Sequence, residues 1–381
     1  MKKIFIFAAA VATLAACQKN SPVELVNDAA DNNAIGFSAY TATAVTKGES
    51  VAATDIYGSG KDGIGVFAFY QPATNGVVNN FNSTKYATPD FMYNQQVKSE
   101  DGSTWTYSPL KYWPNNTNDQ LSFFAYAPYK AGTTWEDLGF STDINATKLT
   151  ATFPIYNEKT AMVDYLFAEP AINQKKPAVG SDPIKFKFEH ITSRIALNVG
   201  VNVNALPAEG PQAFPAVADG TGTLITVNSV KITNIAEAIE YTLAAEASAG
   251  VFVNSTEVQD LVLTADDFQN NTSASWDAAD WKVLLAAENT KPGYLFIAPQ
   301  AANASKLVIT YTVATTDKSN PANNSTITNV IEKPITTAFE KGKAYALNLL
   351  IGMKTVDLSA EVVEWKAGSP ETERIDVPAN N

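Results

Sequence analysis

The chain has 381 residues, 45% of them hydrophobic and 10% aromatic, enough for two domains with real cores and too apolar for a disordered protein. Lysine and arginine number 27 against 39 acidic residues, a net charge of −12, which argues against nucleic acid as a partner. One histidine and one cysteine exclude a histidine-rich metal centre and an internal disulfide framework.

The first segment is an address. Lys2 and Lys3 precede an apolar run from Ile4 to Ala16. These 13 residues are too few to span a bilayer, which takes about 20. The run ends in Leu14-Ala15-Ala16-Cys17. This resembles a bacterial lipoprotein signal, residues 1–16, with Cys17 as the lipid acceptor. The alternative is an ordinary secretory signal in which the cysteine is incidental. With Cys17 acylated, the mature chain keeps no thiol, and loss of Lys2 and Lys3 leaves 25 basic against 39 acidic residues, a net −14. Several acyl chains, each contributing about 0.8 kcal/mol per buried CH₂, anchor a protein without a spanning helix. Gln18, where an aspartate would hold a lipoprotein at the inner membrane, leaves the outer membrane as the destination.

Residues 17–34 read as a flexible polar tether. Strand candidates follow at Ile35–Tyr40, Ile64–Tyr70, Leu121–Tyr126, Leu149–Phe153 and Val163–Ala168. The next candidates alternate more strictly. Ile184, Phe186 and Phe188 alternate with Lys185, Lys187 and Glu189, and Ile195, Leu197, Val199, Val201 and Val203 alternate with small or polar residues. Leu224–Ile235 is less regular. Asp277–Glu288 is the best helix candidate, with Asp277 as N-cap and Trp281, Leu284 and Leu285 on one face. Strands resume at Tyr294–Ala298, Leu307–Val313, Tyr345–Ile351 and Val356–Val362. Turn clusters such as Gly180-Ser181-Asp182-Pro183 punctuate them, the pattern of antiparallel sandwiches. A boundary is expected near His190–Arg194, giving sandwiches at 35–190 and 191–365 and a polar tail at 366–381.

Catalytic signals are weak. Gly58-Ser59-Gly60-Lys61-Asp62-Gly63 matches a dinucleotide fingerprint, but a strand follows it where the phosphate needs a helix N-terminus. His190 has no nucleophile elbow to serve and reads as structural, bonding across the domain junction. Glu136-Asp137 and Asp266-Asp267 read as solvated faces, and no calcium-loop spacing accompanies the acidic residues. No cofactor and no metal are expected. Trp105, Trp113, Trp135, Trp276, Trp281 and Trp365 read as packing residues, with sugar-stacking platforms the alternative.

Ordered motifs then point to a family. Lys111-Tyr112-Trp113-Pro114 precedes Leu121-Ser122-Phe123-Phe124-Ala125-Tyr126-Ala127-Pro128. Val163–Ala168 and Ile184–His190 come next, then Tyr294–Gln300, Lys306–Tyr311, Phe339–Tyr345 and Val363-Glu364-Trp365. With Ile35-Gly36-Phe37 and Thr46-Lys47 after the lipobox, the whole resembles the fimbrillin family of Bacteroidales lipoproteins.

The resemblance implies an all-β chain of two transthyretin-like, Greek-key antiparallel sandwiches with few short helices. It implies a non-enzymatic subunit of a type V pilus, as stalk, tip or anchor, supporting adhesion. Its partners would be other fimbrial subunits, of its own or another kind, the outer membrane through the lipid, and a host or bacterial surface ligand. In stalk subunits a trypsin-like protease removes an N-terminal strand, and a strand from another subunit fills the groove. Mapped here, the removable strand carries Ile35 and Phe37, and the cleaved bond lies between Lys47 and Gly48. Val356, Leu358, Ala360 and Val362 have the alternation of a donor strand, or of an ordinary edge strand of their own sheet. Lys47 stands where well-known stalk subunits carry arginine. The alternative is a lipid-anchored, uncleaved surface lipoprotein, a pilus anchor or a glycan-binding protein.

Overall fold

The computed structural model describes residues 33–41, 56–81, 88–140, 148–177, 182–201, 222–244, 249–269, 272–273, 282–286, 293–317, 320–352 and 356–363. The fold is all-β. In the first half the strands are β1 (Phe37–Thr41), β2 (Ile64–Gln71), β3 (Met92–Val97), β4 (Gln120–Ala127), β5 (Lys148–Pro154), β6 (Leu166–Ala168), β7 (Ala171–Gln174) and β8 (Ile184–His190). The second half continues with β9 (Ser193–Val201), β10 (Gly222–Ala236), β11 (Ala238–Ala244), β12 (Val251–Asn254), β13 (Val258–Thr264), β14 (Thr272–Ser273) and β15 (Lys282–Val283). It ends with β16 (Leu295–Ile297), β17 (Lys306–Thr316), β18 (Ser325–Pro334), β19 (Ala344–Ile351) and β20 (Val356–Val363). Helical structure among the described residues is confined to short 3₁₀ turns, and no helix there is long and apolar enough to cross a membrane.

Four sheets result. Seven strands form the first, in the order β1-β8-β6-β4-β2-β3 with β7 also on β4. The second is β12-β11-β5, the third β13-β10-β17-β18 with β14 on β10, and the fourth β15-β9-β19-β20 with β16 on β9. Pairings are antiparallel except β1 with β8 and β9 with β19, which are parallel.

The first sheet is buried on both faces. Along β2, Val66 and Ala68 join one apolar cluster while Phe67 and Phe69 join the other. Along β4, Phe123 and Ala125 are likewise separated from Phe124 and Tyr126. This is why both strands read as continuous apolar runs rather than alternations. One cluster collects Trp105, Tyr107 and Trp113 over β1, β8 and β4. The other contains Trp135 stacked on Phe140 at 3.8 Å and runs on through Phe153, Phe167 and Tyr241 into the interior of the third and fourth sheets.

The position where a boundary is expected, near residue 190, lies between β8 and β9, and a strand of each half pairs with one of the other. β5 runs antiparallel to β11 from Lys148 opposite Ala244 to Pro154 opposite Ala238. Tyr241 of β11 then packs on Phe167 of β6 at 5.0 Å and on Phe252 of β12 at 4.9 Å.

One expectation is corrected. The helix at Asp277–Glu288 is not formed where the chain is described: Lys282 and Val283 pair with Val199 and Asn198, and the Leu284 amide donates to the Leu197 carbonyl at 2.8 Å. Adjacent Leu284 and Leu285 are both fully buried in one core cluster, and Leu285 forms an antiparallel bridge with Phe268, so they do not lie on a helix face. One bond of the His190 ring lies within the first half, where its Nδ1 meets Asp164 Oδ1 at 2.7 Å.

Candidate subunit-exchange site

The family resemblance makes β1 the candidate removable strand, and the fold places it at the edge of the first sheet, paired along its length only with β8. Its register sets Phe37 opposite Ile184, Ala39 opposite Phe186 and Thr41 opposite Phe188. Ile35, Phe37 and Ala39 point inward with 1%, 4% and 5% exposure, whereas Tyr40 is 49% exposed. The period of two therefore places every second side chain in a socket.

Aromatic rings build the central socket. Phe37 lies edge-on to Tyr107 at 5.3 Å and to Phe123 at 5.8 Å, and stacks on Phe186 at 5.8 Å. Burying a phenylalanine in such a site contributes about 1.5–3 kcal/mol. Residues before the strand are clamped by a second segment. The Ile35 amide donates to the Lys111 carbonyl at 2.9 Å, and the Trp113 amide to the Asn33 carbonyl at 2.8 Å. Tyr107 closes the clamp by donating its hydroxyl to the Ile35 carbonyl at 2.8 Å. Burial pushes this phenol up to about 12, so it stays a neutral donor. The Lys111-Tyr112-Trp113 motif thus holds the entrance of β1.

The candidate donor, β20, pairs antiparallel with β19 from Ile351 opposite Val356 to Ala344 opposite Val363. It is the last strand of its sheet. Val356 is fully buried and Val362 is 52% exposed. Leu358 and Ala360 are half-buried. Cys17, Lys47, Gly48 and the tail lie outside the described residues, as does the tether except Asn33 and Ala34, which pair with Trp113 and Tyr112.

The remaining candidates resolve into structural roles. Trp105, Trp113 and Trp135 are 3%, 4% and 0% exposed, which removes them as sugar platforms, and Trp276, Trp281 and Trp365 lie outside the described residues. The Gly58–Gly63 loop opens directly into β2 rather than a helix. Asp137 accepts from the Thr134 amide at 2.8 Å and Asp267 from the Thr264 amide at 2.9 Å, so both cap local turns. Asp101, which the sequence reading passed over, accepts from the Ser103 hydroxyl and from the amides of Ser103 and Thr104; these bonds hold its carboxyl well below the usual carboxylate range. No group of histidine, cysteine or carboxylate side chains suited to a metal occurs among the described residues.

Glu189 and Glu169 form a charged cluster beside the junction. Glu189 bonds Lys341 at 2.7 Å and Lys187 at 3.0 Å, and Glu169 accepts from the Gly250 amide at 3.1 Å. Burial pushes both carboxyls up. The two lysines outweigh it at Glu189, which ends lowered, while Glu169 stays raised.

Comparison with known proteins places this architecture. A fimbrial protein from Bacteroides vulgatus shares the fold at a TM-score of 0.56 and 22% identity, over 88% of this chain and 100% of that one. A candidate cell adhesion protein from Bacteroides uniformis aligns at 0.46 and 16% identity, over 88% and 99%. A fimbrial assembly protein from Parabacteroides distasonis aligns at 0.34 and 12% identity, over 78% and 95%. No curated protein matched the sequence. The fimbrillin-like family model matches residues 51–365, most of the chain, and the protein therefore belongs to the fimbrillin-like family.

Proposed function

We propose that the protein is a structural subunit of a surface fimbrium that assembles by strand exchange after β1 is removed. The observation that carries this reading is β1 itself. It is an edge strand with one strand neighbour, and it fills three sockets with alternate side chains. A protease acting between Lys47 and Gly48, beyond the C-terminal end of β1, would free it from the body of the chain. Its loss leaves the β8 edge unpaired and the Phe37 socket open, and a strand from another subunit restores both kinds of contact.

In this reading the chain comprises a processed sandwich at 35–190 and a second at 191–365. It travels to the outer membrane as a lipoprotein acylated at Cys17, and processing releases it from the lipid. Its role is structural rather than catalytic, in support of adhesion. Substituting Lys47 by alanine tests the reading. Filaments should disappear from the surface while full-length, lipid-bearing chain accumulates. Unchanged filaments would contradict it.

A further inference from the structure

β18 closes the third sheet, and among the described residues no strand pairs with its far side. It pairs with β17 from Ser325 opposite Thr315 to Pro334 opposite Lys306, with no bulge. Hydrogen bonds where β17 begins tell which groups of β18 face outward. The Ile335 amide donates to the Ser305 carbonyl at 3.0 Å, and the Lys306 amide turns the other way, to the Thr233 hydroxyl of β10 at 3.1 Å. Bonded and non-bonded pairs alternate in an antiparallel ladder. The odd-numbered residues of β18 therefore bond to β17, and Thr326, Thr328, Val330 and Glu332 aim their N–H and C=O groups at the free edge. Pro334, at the next such position, has no N–H to offer there. Natural sheets guard an edge with charges or a bulge, and this one has neither from Ser325 to Ile331. Ile327 is 50% and Val330 64% exposed.

We infer that this edge takes β18 of a second copy of the chain, antiparallel, about a two-fold axis at Asn329. Thr326 then pairs with Glu332 and Thr328 with Val330, so all four outward-facing residues bond across the seam. Neighbouring registers do worse. Sliding the partner two residues one way sets Thr326 against Pro334, which cannot donate, and the other way sets Glu332 against Asn324, outside the strand. In the chosen register the non-bonded positions bring Ile327 of each copy against Ile331 of the other. Both lie on the face that β17 lines with buried Val313 and Ile309, so the apolar core continues across the seam. Glu332 meets Thr326 and Lys333 meets Ser325, so no charge faces its like. On a chain of net charge −12, an uncharged edge is where two copies approach without repulsion. The contact is isologous and closes as a dimer. It uses a different sheet from β1, so it joins subunits side by side whether or not they exchange strands.

The test is oxidation of the full chain on the surface of its host, followed by a non-reducing gel. Asn329→Cys sets one thiol beside its own copy at the axis, where the Cα atoms of a non-bonded pair lie about 4.5 Å apart, within disulfide reach. A disulfide-linked dimer should form, at a yield about tenfold or more above that of the native chain. Thr326→Cys is the control. In the same register its two copies lie several residues apart along the seam, farther than a disulfide spans, and it should link no more than the native chain. No excess dimer from Asn329→Cys overturns the inference and leaves the edge to a strand of another protein. Equal linkage from Thr326→Cys overturns the register. Adding Thr328→Pro to Asn329→Cys removes an N–H that faces only the seam. The dimer should then fall to the native level while β17 keeps its hydrogen-exchange protection. A dimer that survives this change means that the copies meet elsewhere, and overturns the inference too.

Discussion

Phe37 lies nearly parallel to Phe186, ring centroids 5.8 Å apart and planes 14° from coplanar, and this stack ties an edge strand to the strand beside it. Few other side chains of β1 carry so much of its attachment. Phe37→Ala in the full chain should destabilise the first sheet by about 3–5 kcal/mol, the usual loss for emptying a buried aromatic site. Chemical unfolding of the full chain measures it. A loss under about 1 kcal/mol would mean the socket does not hold the strand.

Tyr107 clamps the approach to that strand from the other side. Tyr107→Phe keeps the ring against Phe37 and removes only the hydroxyl that serves the Ile35 carbonyl. The expected cost is about 1–3 kcal/mol, because the carbonyl is left buried without this donor. Hydrogen exchange should show faster opening of β1 while β19 and β17 keep their protection. Equal acceleration everywhere would contradict a local role.

The two glutamates at the junction should give opposite pH slopes. Glu189 is lowered from the ordinary 4.5, so its contribution is complete above that value and is lost as pH falls through the folded value. Glu169 is raised, so its contribution is present below 4.5 and is lost as pH rises through its folded value. The advantage of the native chain over Glu189→Gln should therefore shrink on acidification, while its advantage over Glu169→Gln should grow. Thermal unfolding between about pH 3 and 7 checks both signs. Parallel profiles for the two variants would contradict the assignment.

Gly139 is a further point of sensitivity. It adopts φ +77°, and an added Cβ would lie 2.1 Å from the Thr152 carbonyl oxygen of β5. Its own carbonyl accepts from the Thr152 amide at 3.2 Å. Gly139→Ala should cost about 2 kcal/mol or more and loosen β5, the strand that pairs across the two halves. Calorimetry would register it as a lower transition temperature, and an unchanged transition would contradict it.

Strands whose large apolar residues alternate were legible in the sequence. The alternations at β8 and β17 follow directly from side chains that point in turn to core and to the outside, whereas those at β9 and β19 show in the sequence although intervening residues such as Arg194, Ala346 and Asn348 are buried too. β2 and β4 were legible for a different reason, since both of their faces are covered. β18 escaped notice because its Ser-Thr-Ile-Thr-Asn-Val stretch is exposed or half-exposed throughout and shows no period. β3, β7 and β11–β13 were missed as well, because the burial of Tyr241 or Leu261 depends on neighbours distant in the chain. The pairing of β5 with β11 is of this kind, and no local pattern announces it. At the site, the β1 sockets were legible as Ile35 and Phe37, but Tyr107 was not. Nothing in Trp105-Thr106-Tyr107 signals a hydroxyl that reaches the carbonyl of Ile35. The sequence also presented β20 as a uniform apolar alternation, and the half-covered state of Leu358 and Ala360 emerges only in three dimensions.

Intact mass and N-terminal sequencing of the chain recovered from surface filaments test the central claim most directly. The strand-exchange account predicts a chain that begins at Gly48 and carries no lipid. Filaments built from chains that still carry acylated Cys17 and β1 would contradict it.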